Sequence, residues 1–135
     1  MSGFELKVSI LGVPYTIVCD EAKLAEACEE EGLEVENTQG LHIAHDFATR
    51  VIYVSPLLSP AQWVQTLFHE VLHAIGNITG HWRLGHSNKA NEMFVDAIAT
   101  GLTSFFLNKN VRKVIEKILS EEEDSHESEK NLAGD

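Results

Sequence analysis

"TLFHEVLHAIG", Thr66 to Gly76, decides how the rest of this 135-residue chain is read. Val64, Leu67, Phe68, Val71, Leu72 and Ile75 recur at helical spacing, and Ser59-Pro60 supplies a cap and a first-turn proline, so a helix is expected from there, with Gly76 placed to end it. On that helix His69 and His73 stand four residues apart, hence on one face about a turn from each other, with Glu70 directly after the first. Imidazoles so placed can aim their nitrogens at one point, which is the bite that two metal ligands need. A catalytic zinc keeps three protein ligands and a water whose pKa falls to about 7. Glu70 is positioned to act beside that water as the general base.

A third ligand must come from elsewhere, and two patterns compete. The metzincin extension HExxHxxGxxH finds its glycine in Gly76, but its last position is Thr79, a poor ligand. His81 arrives two residues late, and Met93 sits inside a helical stretch where no Met-turn forms. The other pattern fits without adjustment. "NEMFVDA", Asn91 to Ala97, begins 18 residues beyond His73 on a second helical stretch and presents Glu92 and Asp96 at i and i+4.

This HExxH plus ExxxD arrangement resembles the gluzincin metallopeptidases, and by size and order it is most similar to the compact ImmA/IrrE-like metallopeptidases of phages, mobile elements and bacteria. "EMFVDAIATGL" matches their second helix at Glu92, Asp96, Ile98 and Ala99, with Val95 in place of the first alanine. The resemblance spans roughly Leu41 to Leu107. It implies one zinc ion held by His69, His73 and Glu92, Glu70 as catalytic base, and Asp96 orienting His73 or His69 from behind. The leucine-proline ending common after that helix is absent, so no repressor-cleaving role comes with the resemblance.

Around this centre the chain reads as α+β. "FELKVSILGVPYTIVCD" gives two β-branched runs split at Gly12-Val13-Pro14, a hairpin. "EAKLAEACEEEG" follows as a short helix stopped by Gly32, and then Leu41 to His45 and Arg50 to Val54 form a second strand pair. The expected fold is a minimal zincin: a small, mostly antiparallel sheet packed on the HExxH helix and braced by the ExxxD helix. A loop over 77–86 should join the two helices, the second running from Asn88 to about Leu107 under a Ser87 cap. A last helix begins after Asn108 and Asn110, with Val111, Val114, Ile115, Ile118 and Leu119 on one face.

At 44% hydrophobic, residues 1–119 suffice for a single metallopeptidase-like domain. The stretch 120–135 holds seven acids and one lysine, and reads as a disordered acidic tail. A net charge of -11 argues against a nucleic-acid backbone as partner, since phosphate binding needs clustered Lys and Arg. No run approaches the roughly 18 apolar residues of a membrane span. With no secretory leader and no CxxC, Cys19 and Cys28 read as reduced thiols, and a cytoplasmic protein is expected, bacterial or in the host if phage-encoded.

The expected partner is a protein or peptide substrate; nothing in the sequence bears on oligomeric state. Three further residues are candidates for stabilising an oxyanion or contacting substrate: His81, His86 and Tyr53. His42 and His45, three apart on a strand, face opposite ways, so at most one can look into a cleft. A rival function is a non-catalytic zinc-binding interaction module of phage or mobile-element origin; the intact Glu70 weighs against it.

Overall fold

The computed structural model describes residues 3–45 and 49–133. Its elements run β1 (Phe4–Ile10), β2 (Val13–Cys19), α1 (Glu21–Glu31), a 3₁₀ turn (Val35–Asn37), β3 (Gly40–Ala44), β4 (Arg50–Val54), α2 (Pro60–Thr79), α3 (Trp82–Gly85), α4 (Lys89–Phe106) and α5 (Lys109–Ala133). By contact the chain divides into two compact units, Met1–Thr103 and Ser104–Asp135. The first holds the sheet, both histidines and the ExxxD pair; the second is the end of α4 with α5. No helix among the described residues is long and apolar enough to cross a membrane.

The fold is α+β, and its sheet is mixed. The order is β1-β2-β4-β3: β1/β2 and β3/β4 pair antiparallel, while β2 and β4 run parallel at the centre. The hairpin patterns did not foretell that parallel contact: β3 starts at the end of the sheet where β2 finishes and carries the chain back, so β4 runs in the direction of β2. Burial explains which strand of the second pair goes inside. Ile52 and Val54 of β4 are fully buried, whereas every residue of β3 is only half-buried. β3 is therefore left as the terminal strand.

The first hairpin turns at Leu11-Gly12, not at Gly12-Val13-Pro14. Both residues have positive φ, 50° and 79°, as the favoured two-residue hairpin turn requires. Pro14 then falls inside β2 opposite Ser9, one step past the closing Ile10/Val13 pair. That is a position whose N–H points away from β1, so the missing donor costs the ladder nothing. The turn between β3 and β4 lies mostly outside the described residues.

One face of the sheet carries Tyr15, Ile17, Ile52 and Val54, packed with Ala74, Trp63, Leu67 and Val71 of α2. A second cluster, Leu72, Val95 and Ala99 with Phe68 and Ile98, joins α2 to α4. These two contacts fix the HExxH helix between the sheet and the helix bearing Glu92. Cys19 and Cys28 are free, as read from the sequence, and both are fully buried.

The helices hold four corrections. The expected Ser59 cap of α2 forms, as a capping box with Gln62, but the helix runs through Gly76 and stops at Gly80, whose φ is 72°. The α4 cap is Asn88, whose Oδ1 accepts from Asn91 N at 2.9 Å, not Ser87. Residues 81–86, expected as loop, contain the short helix α3. The acidic stretch read as a disordered tail instead continues α5 to Ala133, its first turn capped by Asn108.

Candidate metal centre

α2 and α4 bring His69, His73 and Glu92 together, with one ligand atom of each within 4.8 Å of the others. Glu92 faces both rings: its Oε2 lies 2.8 Å from His69 Nε2 and its Oε1 2.9 Å from His73 Nε2. The two Nε2 atoms are 3.2 Å apart. Behind them, His73 Nδ1 donates to the Leu84 carbonyl at 2.5 Å, and His69 Nδ1 sits 3.4 Å from Asp96 Oδ1. Those back contacts favour ring protons on Nδ1, the tautomer that turns both Nε2 lone pairs toward the carboxylate. Two lone pairs and an anion converging on one point repel one another unless a cation lies among them. The donor set, two imidazoles and a carboxylate, is that of a divalent metal site with an open position.

Asp96 therefore supports His69, and the partner of His73 is a backbone carbonyl that the sequence reading missed. Its only trace in the sequence is Gly76. A Cβ at this position would collide with the backbone of Leu84 and Gly85, 2.5 Å from the Leu84 carbonyl carbon. Gly76 is thus a close-approach residue that lets α3 lie against α2. Asn91, 4% exposed, clamps the other side: its Nδ2 donates to the carbonyls of Trp82 and His86 at 3.2 Å each. Gly76→Ala is expected to cost about 1–3 kcal/mol of stability through overpacking. By displacing Leu84 it should also weaken metal binding about tenfold. Chemical denaturation and chelator competition read the two effects separately.

Glu70 is buried beside this group, and its neighbour across the cleft is Gly40 of β3. A Cβ on Gly40 would lie 2.6 Å from Thr66 Cγ2 and 3.1 Å from Glu70 Cγ, so glycine is what allows α2 this close to the terminal strand. Burial, and after it the charge of Glu92, push the Glu70 carboxyl up to about 8. A cation held by the triad would offset Glu92 and draw that carboxyl back down.

The triad, Glu70 and Asp96 all border one cleft of about 560 Å³, whose opposite wall includes Gln39 and, on β3, Gly40 to His42. His42 is thus the strand histidine that enters the cleft. Its Nε2 is hydrogen-bonded to the buried Tyr15 hydroxyl at 2.8 Å, and burial, with lesser help from His73 and Arg50, lowers its pKa to about 4, keeping the ring neutral. His45 turns the other way and pairs with Glu31 at 2.7 Å.

The remaining candidates do not join the site. His81 sits at the exposed N-terminus of α3 and His86 at its exposed C-terminus, and neither borders the cleft. Tyr53 is also absent from the cleft wall; it alternates along β4 with Ile52 and Val54, which pack toward α2, and so lies on the opposite face of the sheet. Comparison of the chain with protein-family models, with curated proteins and with solved structures finds no match.

Proposed function

We propose that this chain is a zinc-dependent peptidase of the gluzincin type, similar to the compact ImmA/IrrE-like metallopeptidases, with the fold of a minimal zincin. The observation that carries the reading is the position of Glu70: a buried carboxylate in the same cleft as the converged His69, His73 and Glu92, opposite a terminal strand. A purely structural metal site needs neither an open cleft nor a base in it.

His69, His73 and Glu92 would hold the zinc, which supplies Lewis acidity toward a carbonyl and a water. Glu70 takes the proton from the attacking water and returns it to the leaving amine. Asp96 and the Leu84 carbonyl hold the two imidazoles in the required tautomer. β3 offers the substrate an unpaired sheet edge along Gly40 to His42, so an extended protein or peptide segment can add to it as a strand. His42, neutral and fixed through Nε2 by Tyr15, keeps Nδ1 for a substrate oxygen. It takes the place of His81, His86 and Tyr53 as the candidate for that contact. The free buried thiols suit a reducing cytoplasm, bacterial or that of a phage host.

The test is reversible metal dependence of cleavage. Chelated, dialysed protein is incubated with an unfolded-protein mixture and with the same mixture plus one equivalent of zinc, and new peptide termini are read by mass spectrometry. Zinc-dependent new termini are expected. A zinc-replete, folded chain that produces none supports the non-catalytic interaction module instead.

A further inference from the structure

We infer that β1 is a dimerisation edge, to which β1 of a second copy of this chain adds antiparallel with the two-fold axis at Leu6. β1 ends the sheet on the side away from β3, and among the described residues no strand covers its outer edge. The two-residue turn at Leu11-Gly12 makes Ile10 and Val13 the hydrogen-bonded closing pair of the hairpin. Alternation along the ladder then turns the main-chain groups of Val8, Leu6 and Phe4 toward β2, and those of Ser9, Lys7 and Glu5 outward. Phe4, Leu6, Val8 and Ile10 share the face toward α2: Val8 and Ile10 pack on the core, and the Phe4 ring lies 5.8 Å from that of Trp63. Leu6 is nevertheless 52% exposed, because α2 lies mainly over β3 and β4.

Register and charge together select the occupant. With Leu6 facing Leu6 of the copy, Glu5 falls opposite Lys7 and Lys7 opposite Glu5, and both are pairs whose main-chain groups point outward. Hydrogen bonding and charge pairing are therefore satisfied in the same register. On the α2 face Leu6 meets Leu6, flanked on each side by Phe4 against Val8, so the apolar surface continues from one copy into the next. The neighbouring two-fold registers fail. Centring on Glu5 or on Lys7 sets like charges opposite, and centring on Phe4 or on Val8 leaves Glu5 against Gly3 or Leu11. Glu5 pairs within its own chain with Lys23 of α1, but Lys7 has no ion pair among the described residues. A lysine on an open edge repels an arbitrary strand, and an acid placed opposite it converts that guard into a selector. A copy of this chain supplies the acid at the required position, which is the self-complementarity of a two-fold interface. The joined sheet leaves β3 and its cleft at both outer ends, so the inference is independent of what the cleft does.

The test is sedimentation equilibrium of the full chain across the micromolar range at moderate salt. The wild type is expected to move from 15.0 kDa toward twice that mass as concentration rises. Lys7→Glu and Glu5→Lys each place like charges opposite at both pairs and should weaken the dimer about tenfold or more, while an equimolar mixture of the two should form a heterodimer. Circular dichroism confirms that each variant is folded. Crosslinking fixes the register. Under a mild oxidant Leu6→Cys should link two copies, since a non-hydrogen-bonded antiparallel pair sets its Cα atoms about 4.5 Å apart, within disulfide reach. Phe4→Cys, which faces Val8 of the copy, should not link; the native Cys19 and Cys28 are buried and stay out of the exchange. A wild type that stays monomeric throughout, a Lys7→Glu dimer as tight as the wild type, a folded mixture that remains monomeric, or linkage through Phe4→Cys rather than Leu6→Cys would each overturn the inference.

Discussion

Glu92→Ala is expected to leave a folded chain that no longer retains zinc, while His81→Ala retains it in full. Glu92 spans both Nε2 atoms at 2.8 and 2.9 Å from a helix already fixed against α2 by Leu72, Val95 and Ala99. Removing it leaves two imidazoles at a site built for three ligands, and exposes no core. His81 has no side-chain bond at the α3 terminus it occupies and does not border the cleft. Asp96→Ala falls between these extremes. Among the described residues its carboxylate pairs with His69, at 3.4 Å and with a side chain 60% exposed, while His73 is held by the Leu84 carbonyl. An affinity loss of about tenfold is expected for it. Elemental analysis and chelator competition on the three variants give the order directly. A zinc-free His81→Ala beside a zinc-replete Glu92→Ala would overturn the ligand assignment.

Glu70→Gln is expected to bind zinc normally and to lose cleavage by ~100-fold or more, since an amide keeps the shape of the carboxylate but accepts no proton. The variant also separates chemistry from folding. A buried carboxyl that burial and Glu92 push up to about 8 costs the fold desolvation that an amide avoids. The metal-free variant should therefore be at least as stable as the wild type. Lost cleavage with unchanged metal content and undiminished stability assigns Glu70 to the reaction. Cleavage at the wild-type rate would remove the peptidase mechanism while leaving the metal site intact.

The order of strengths among these variants reflects which parts of the site were legible in one dimension. His69, Glu70 and His73 share a helix, and Glu92 and Asp96 share another, so spacing within each helix already placed those side chains on common faces. Distances of three and four residues are local, and local periodicity survives in the sequence. His42 was harder: strand alternation could say that it and His45 diverge, but not which one enters the cleft. That depended on β4 rather than β3 taking the central place beside β2. Tyr53 was misplaced for the same reason, since one step along β4 moves a side chain to the other face of the sheet.

By itself, then, the sequence determined the class of the fold, the presence of most elements, and the two helices whose His69, His73 and Glu92 converge on the candidate site, because each rests on a pattern repeating within a few residues. Tertiary structure alone decided the rest. Gly76 reads locally as a helix stop, yet α2 continues through it because the backbone of Leu84 and Gly85 presses against that point and brings a carbonyl to His73. Gly40 likewise reads as a strand boundary and serves as the gap through which β3 approaches Glu70. Both are contacts between backbones distant along the chain. A backbone carbonyl has no side-chain identity to read, and a glycine records only that something comes close, not what.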